Sequence, residues 1–441
     1  MKRFKSSTDE TSSQVNSSQK IELKEFRLPN GLQCYMFKDN FNPIINLSIG
    51  YKVGSKDETP SKRGLAHFFE HMMFQGSENV KKNEHFEYVM KSGGVCNAFT
   101  MYDGTVYYDV MPSNNLETAL WLESDRMNSL NISEENMANQ KSVVIEEKKQ
   151  VTENVPYGTT NKNIFKLVFK DSGYEIPIIG EEDDINSFTV EEAKEFHGKY
   201  YSPGNAVLIV SGDIEYDNAE KLITKYFSGI SKENNFKREK NVISEMTEDI
   251  SMEVFENVKL PVLNLCYQIP GSGSKENYPL DYLVEIMASG KSSRLYKKLV
   301  YDQKLVKSIR IYPLTLQDAG VLIIKAMINP GSDIELVENE IYKELGLFAS
   351  TGITDEEFEK VRNMIEFQFT IKHQKIDNIA LESIINYLYH KDVNRINHEV
   401  ENYLAVTKQD VQKSVENFIL NKKRLKLTYL PEEYKILKNQ N

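Results

Sequence analysis

The sequence has little of several residue types, and each shortage excludes a class of protein. Three cysteines in 441 residues, widely spaced at Cys34, Cys96 and Cys266, are too few and odd in number for a disulfide framework. No apolar run approaches the roughly 18 residues that a membrane-spanning helix needs. The formal net charge of -11 comes without a basic stripe. We therefore expect neither a membrane span nor a nucleic-acid partner.

The first 19 residues are poor in apolar side chains. Residues 1–19 (MKRFKSSTDETSSQVNSSQ) are rich in Ser, Thr and Gln and hold a single aromatic residue, a composition that predicts a disordered tail. They lack the apolar core of a secretory signal. The sequence therefore predicts a cytoplasmic protein, or a periplasmic one if a signal peptide was removed before this numbering.

The chain does contain an H-x-x-E-H segment, formed by His67, Glu70 and His71. Residues four apart lie on one face of a helix, so both imidazoles can reach one metal ion. Catalytic zinc takes three protein ligands and a water molecule. We expect one Zn²⁺ per chain, with Glu70 as the general base that activates the zinc-bound water. The alternative is a helix whose two histidines only pack.

A third ligand must come from elsewhere in the chain. Residues 133–152 (SEENMANQKSVVIEEKKQVT) have a polar start, acidic residues in the first turn and no Pro or Gly, which predicts a long helix. Glu146 and Glu147 on this helix are equally good candidates by spacing alone. Either is otherwise an ordinary solvated carboxylate.

Together with the H-x-x-E-H segment, two other stretches resemble the pitrilysin family of zinc peptidases. They are residues 93–108 (GGVCNAFTMYDGTVYY) and 200–213 (YYSPGNAVLIVSGD), and the resemblance extends roughly from Lys20 to Glu433. It implies a zinc metalloendopeptidase that hydrolyses peptides or unfolded segments. In that family a third ligand, a Glu, stands about 76 residues after the second histidine, so the resemblance favours Glu147. Gln140, where many relatives have an accessory Glu, is left outside the catalytic set.

The sequence is internally duplicated. Residues 43–47 (PIINL) match 261–265 (PVLNL), and the run 189–210 matches 407–428, both at an offset of 218. Apolar strands alternate with long helical stretches in each copy, which predicts two homologous α+β domains, each with a mainly antiparallel sheet covered by helices. We predict a catalytic zinc-binding domain at 20–230, a linker at 231–241 and a homologous inactive domain at 242–441. The resemblance implies that the two form a clamshell.

The second copy has no equivalent of the histidine pair. At an offset of 215, His67, Glu70 and His71 fall on Tyr282, Glu285 and Ile286. A shift of one residue places Leu283, Ile286 and Met287 there instead, again without histidine. The scaffold therefore does not need these imidazoles, and only the first half is expected to bind zinc.

Substrate binding is expected to use a strand near the motif. An edge strand offers unpaired N–H and C=O groups to which an extended peptide can add. The resemblance places Asn97, Ala98 and Phe99 beside the zinc, so these are the candidate substrate-binding residues. The alternative is that Gly93, Gly94 and Asn97 form a hairpin turn.

One departure from the family bears on assembly. Self-sufficient relatives carry an Arg, and seven residues later a Tyr, that help to hold the substrate carbonyl. Here the matching positions are Val300 and Lys307. We therefore expect a heterodimer with a zinc-less homologous subunit that bears the Arg/Tyr pair. The rival interpretation is a non-proteolytic scaffold or core subunit of the same fold.

Overall fold

A computed structural model describes residues 20–231 and 237–438. It contains two mixed sheets covered by helices, and this confirms the predicted duplicated α+β architecture. The predicted tail at 1–19 lies outside the described residues, as do residues 232–236 of the predicted linker. In the described part of the chain no helix is both long enough and apolar enough to cross a bilayer.

The first sheet has six strands in the order β1-β2-β6-β3-β5-β4, and β4 forms one edge. Only β2 and β6 pair in parallel among these neighbours. Every residue of β6 is buried, as expected for an apolar strand covered on both faces. The strands are β1 (Lys24–Arg27), β2 (Gln33–Lys38), β3 (Ile44–Tyr51), β4 (Val95–Thr100), β5 (Thr105–Pro112) and β6 (Ala206–Gly212).

Eight α-helices accompany these strands along the described part of the first half. They are α1 (Leu65–Met72), α2 (Glu84–Lys91), α3 (Leu116–Asn128), α4 (Glu134–Lys148), α5 (Thr160–Val168), α6 (Glu182–Ser187), α7 (Val190–Tyr200) and α8 (Tyr216–Phe227). The helix predicted at 133–152 is α4, capped by Ser133 and continued by a π-helical segment, Lys149–Glu153. Apolar residues of α1, α3, α7 and α8 form one continuous core with the sheet.

The second sheet has the order β7-β11-β8-β10-β9. Its strands are β7 (Ile250–Glu256), β8 (Val262–Pro270), β9 (Val306–Thr315), β10 (Ala319–Ile328) and β11 (Leu425–Pro431). The accompanying helices are α9 (Asn277–Ala288), α10 (Ile334–Thr351), α11 (Asp355–Lys372), α12 (Ile376–His390), α13 (Glu399–Leu404), α14 (Lys408–Val415) and α15 (Glu432–Lys438).

The duplicated segments of the sequence occupy equivalent elements. The matching runs 189–210 and 407–428 each begin a helix with a threonine cap, Thr189 for α7 and Thr407 for α14, and each leads into a buried strand, β6 or β11. Each threonine side chain accepts a hydrogen bond from the backbone N–H three positions later, and the acidic side chain there accepts one from the threonine N–H, which completes a capping box. The repeated segments therefore match at the residues that cap their helices as well as in the strands.

Each half contributes one helix that packs on the sheet of the other half. Helix α12 of the second half packs on β3 and β6 of the first sheet, where Ala380, Ile384 and Leu388 are buried. Helix α5 of the first half packs on β8 and β11 of the second sheet. A Cβ atom at Gly50 in β3 would lie 2.6 Å from the Cγ2 of Ile384, so the close approach of α12 requires glycine there. Each half therefore completes the core of the other.

Candidate metal centre

Helix α1 presents two chemically different faces. Leu65, Phe68, Phe69 and Met72 are buried in the first core. The motif residues His67, Glu70 and His71 are only half-buried. The apolar spacing of the helix thus anchors one face and leaves the three motif side chains together on the other.

The start of α1 is held by a buried carboxylate. Glu58 accepts hydrogen bonds from the backbone N–H groups of Gly64 and Ala66, both at 2.7 Å. A negative charge at this end of the helix also matches the helix dipole. Burial nevertheless raises the pKa of Glu58 to about 8, while the two backbone hydrogen bonds oppose that rise. Glu58 therefore connects the first turn of α1, which contains His67, to the loop that precedes the helix.

The two imidazoles and Glu147 converge. The ring centroids of His67 and His71 are 4.9 Å apart. The Oε2 atom of Glu147, on α4, lies 3.2 Å from the Nε2 of His71 and 3.8 Å from the Nε2 of His67. One potential ligand atom from each of the three residues lies within 4.8 Å of the others. Helices α1 and α4 pack against each other to bring these atoms together.

Glu146 has a different environment. It is exposed, and its Oε1 accepts a hydrogen bond from the Nε2 of Gln150 at 3.3 Å. Of the two carboxylates that sequence spacing left open, only Glu147 faces the histidines.

The convergent residues fit a zinc ion. The Oε2 of Glu147 is buried, and among the described residues it has no hydrogen bond of good geometry, although the Nε2 of His71 lies 3.2 Å away. A buried carboxylate oxygen without a partner is costly, whereas a cation beside it would satisfy it. Two imidazoles and one carboxylate are a ligand set of catalytic zinc. His67, His71 and Glu147 are therefore the residues that would hold the metal.

The protonation equilibria of His67 and Glu147 suit a metal, whereas at His71 the metal must displace a proton from the ring. Burial, assisted by the neighbouring His71, lowers the pKa of His67 to about 4, so its ring is neutral at pH 7. Burial alone would lower the pKa of His71, but contacts with Glu147, Glu70 and Gln140 raise it overall. The close contact with His71 holds the pKa of Glu147 below its usual range. A neutral imidazole and an ionised carboxylate are the forms that bind metal.

Glu70 is oriented by a residue that the sequence reasoning missed. The hydroxyl of Thr100 donates a hydrogen bond to the Oε2 of Glu70 at 2.5 Å. Burial raises the pKa of Glu70, and the hydrogen bond from Thr100 opposes that rise. Thr100 stands in the family-like segment 93–108, so its position in the motif was the available signal. It ends β4, which places the edge strand directly beside the candidate base.

The predicted substrate-binding residues Asn97, Ala98 and Phe99 lie on β4. This strand pairs with β5 on one side and is an edge of the sheet on the other. The hairpin between β4 and β5 turns at residues 101–104, whereas Gly93 and Gly94 lie between α2 and β4. Neither glycine therefore belongs to a hairpin turn, and Asn97 is within the strand.

The positions matched to the Arg/Tyr pair lie in the second half. Val300 belongs to a π-helical segment, Tyr296–Asp302, and packs against the core of that half. Lys307 is exposed on β9, the edge strand of the second sheet.

The sequence is similar to known zinc peptidases along most of its length. Residues 36–182 match the family model described as insulinase (peptidase family M16), and residues 187–365 match the model described as the peptidase M16 inactive domain. A zinc protease of Helicobacter pylori, PqqE, is 29% identical over 388 residues, which are 87% of this chain and 87% of that protein.

Solved structures show the same architecture. A protease from Helicobacter pylori superposes with a TM-score of 0.86 and 27% identity, covering 93% of this chain and 100% of that one. The first half of a periplasmic protease, PqqL, from Escherichia coli superposes with a TM-score of 0.78 at 18% identity, covering 94% of this chain and 93% of that one. The second likeness concerns the fold alone.

Proposed function

Because the chain belongs to the M16 (insulinase) family of peptidases, we propose that it is a zinc metalloendopeptidase that hydrolyses peptides or unfolded segments. The observation that carries the proposal is the convergence of His67, His71 and Glu147 beside Glu70. His67, His71 and Glu147 would hold one Zn²⁺ per chain. When bound, zinc polarises the substrate carbonyl and makes water more acidic.

The proposed chemistry of the chain's own residues centres on Glu70. Its carboxylate accepts a proton from the attacking water and returns it to the leaving amine. The hydrogen bond from Thr100 keeps the carboxylate in one orientation, and partial burial keeps its basicity higher than that of a solvated carboxylate. In the second half Glu285 matches Glu70 at an offset of 215, but no histidine pair accompanies it.

The substrate is proposed to bind as an added strand on β4. The free edge of β4 ends at Thr100, so a peptide paired with Asn97, Ala98 and Phe99 would be directed toward Glu70. Because strand addition reads the backbone, N-methylation of alternate peptide nitrogens should raise KM by at least about tenfold. Peptides with the same side chains and free N–H groups are the control. Equal KM values for both would contradict the proposal.

The proposed test begins with the isolated chain. Elemental analysis should find about one zinc per chain, and Glu70→Gln should keep the zinc. Once the partner bearing the Arg/Tyr pair is added, Glu70→Gln should abolish cleavage of an unstructured peptide. Glu147→Ala should lose the metal, whereas Glu146→Ala should retain it as the matched control. Full cleavage by Glu70→Gln would remove Glu70 as the base.

Assembly with a partner is a further part of the proposal. Val300 and Lys307 replace donors that would stabilise developing negative charge, and loss of one such donor costs about 10² to 10³ in rate. We expect little activity from the chain alone and strong activity after addition of a zinc-less homologue bearing the Arg/Tyr pair. Full activity of the unpartnered chain would refute the heterodimer.

The same experiment distinguishes the proposed peptidase from the rival function, a non-proteolytic scaffold subunit. A non-proteolytic scaffold subunit would bind no zinc, or would bind zinc and remain inactive both with the homologous partner and after Val300→Arg with Lys307→Tyr. The cytoplasmic location stays a prediction, and fractionation of the source cells would check it.

A further inference from the structure

A second group of side chains that can bind a metal is formed by residues of α2, β4 and β5. His85 is on α2, Cys96 on β4 and Asp109 on β5. Cys96 and Asp109 are directly opposite each other in the antiparallel pair, and the Nε2 of His85 is 3.5 Å from the Oδ1 of Asp109. One potential ligand atom from each residue lies within 4.8 Å of the other two. This group shares no residue with the centre on α1 and α4.

The carboxylate of Asp109 is incompletely satisfied. The residue is fully buried, and among the described residues its Oδ2 lacks a hydrogen bond of good geometry, although Glu123 interacts with the carboxyl group. An ionised carboxylate in such a place costs several kcal/mol unless a cation or donors compensate it. An unpaired buried oxygen beside an imidazole and a thiol is therefore the feature that requires explanation.

The nearby Arg126 directs its hydrogen bonds to Glu123, although its charge also lowers the pKa of Asp109. Arg126 donates from its Nε to the Oε2 of Glu123 at 2.9 Å and from its Nη2 to the other oxygen of the same carboxylate. Burial raises the pKa of Glu123 to about 7, and the two-point contact with Arg126 opposes that rise. Burial raises the pKa of Asp109 to about 6, and ionisation of both carboxyls beside one guanidinium leaves one excess negative charge. A divalent cation bound with a Cys96 thiolate would bring the total charge to zero.

The protonation states define what a metal must do, and that of His85 is already suitable. Burial lowers the pKa of His85 to about 3, so the imidazole is neutral, which is the form that binds metal. Burial raises the pKa of Cys96 to about 12, so a metal must displace the thiol proton. Cys96 is only half-buried, which leaves an approach for the ion from outside.

We propose that His85, Cys96 and Asp109 form a second metal site, selective for Zn²⁺ or a similar borderline ion. A nitrogen and a sulfur ligand favour this class over Mg²⁺ or Ca²⁺, which prefer oxygen. The ion would join α2 to both strands of the β4–β5 hairpin. Since β4 also carries Thr100, the partner of Glu70, the second metal would hold the edge strand beside the candidate catalytic centre. The existence of the site does not depend on the proposed function.

Cobalt(II) distinguishes the two centres, because a thiolate ligand produces a near-ultraviolet charge-transfer band and the centre on α1 and α4 offers no sulfur. The chain stripped of metal and titrated with Co²⁺ should bind about two ions and develop this band. His67→Ala should reduce the count to about one and keep the band. Cys96→Ala should also bind about one ion but lose the band.

Stability supplies an independent readout. In the His67→Ala background, Zn²⁺ should raise the thermal midpoint, because an ion bound only to the folded state stabilises it. The rise should disappear in His67→Ala with Cys96→Ala and shrink in His67→Ala with Asp109→Asn. A single cobalt ion per wild-type chain, with no charge-transfer band and no effect of Cys96→Ala, would overturn the proposal and leave the cluster as a buried polar network.

Discussion

Two neighbouring glutamates on helix α4, Glu146 and Glu147, have different surroundings. Glu146 and Glu147 have the same side chain and adjacent positions, yet one lies in solvent and the other beside two imidazoles. The helical rotation of about 100° per residue is enough to separate them. The chemistry of a carboxylate here is therefore decided by the packing of α4 against α1.

At the same scale, Thr100 is expected to act as a positioning residue for Glu70. Thr100→Val keeps the shape of the side chain but removes the donor to the Oε2 of Glu70. A hydrogen bond to a charged group contributes about 1.5 to 3 kcal/mol, so kcat should fall by about 10- to 100-fold. Zinc content and KM should stay near the wild-type values.

Thr100→Ser is the matched control for this prediction. It keeps the hydroxyl and should recover most of the activity. If valine and serine variants were equally active with peptide substrate, the hydrogen bond would have no part in catalysis.

At the scale of the elements, the start of α11 depends on one carboxylate. Glu357 accepts from the backbone N–H of Thr354 at 3.1 Å and receives two hydrogen bonds from Arg294, each at 2.7 Å. The Arg294 guanidinium holds the pKa of Glu357 down to about 2. The cap of α11 is thereby joined to the segment that follows α9.

The lowered pKa sets the pH dependence of this cap. Ionised Glu357 stabilises the fold above its ordinary pKa of 4.5, and this contribution is lost as pH falls toward 2. Glu357→Gln should lower the free energy of unfolding at pH 7 by about 1 kcal/mol, a modest value because solvent screens the pair. The difference from wild type should shrink between pH 4.5 and 2.

Urea unfolding of both chains across this pH range would measure the effect. The exposed neighbour Glu356 is the control, and Glu356→Gln should change stability little at any pH. A difference for Glu357→Gln that stayed constant down to pH 2 would contradict an ionic contribution.

At the scale of the whole molecule, the two halves are joined by a buried ion cluster. The Nζ of Lys56 lies 2.5 Å from Asp103 of the first half and 2.9 Å from Asp318 at the β9–β10 turn of the second. The hydroxyl of Tyr174 contacts the same two aspartates. Lys56 and Asp103 are almost inaccessible, so the charges depend on each other for compensation.

Removing the lysine should therefore weaken the association of the halves. Lys56→Met leaves Asp103 buried without its cation and should lower the free energy of unfolding by about 3 to 5 kcal/mol. Small-angle X-ray scattering should show a larger radius of gyration if the halves separate. Lys225→Met, which breaks the exposed pair with Glu117, should change neither quantity appreciably; an equal effect of both variants would argue against the cluster as a joint.

Several features of the molecule could be read from the sequence because they are local. The H-x-x-E-H spacing predicts two imidazoles on one helical face, and the threonines that cap α7 and α14 are visible in the repeated segments. Strand periodicity and the repeat predicted two similar layered halves. The motif, the caps and the strand patterns each depend on residues close together in the chain, where backbone geometry alone sets which side chains share a face. The repeat is the recurrence of such local patterns.

Other features depend on contacts that only the tertiary structure decides. An amphipathic pattern marks the apolar face of α5 or α12 but does not specify which sheet it covers, and here each helix covers the sheet of the opposite half. The contact of Thr100 with Glu70 and the meeting of His85, Cys96 and Asp109 join residues on different elements. The sequence by itself determined the local chemistry of each element, whereas the packing of elements distant in the chain determined which of those groups meet, because hydrophobic burial is non-directional.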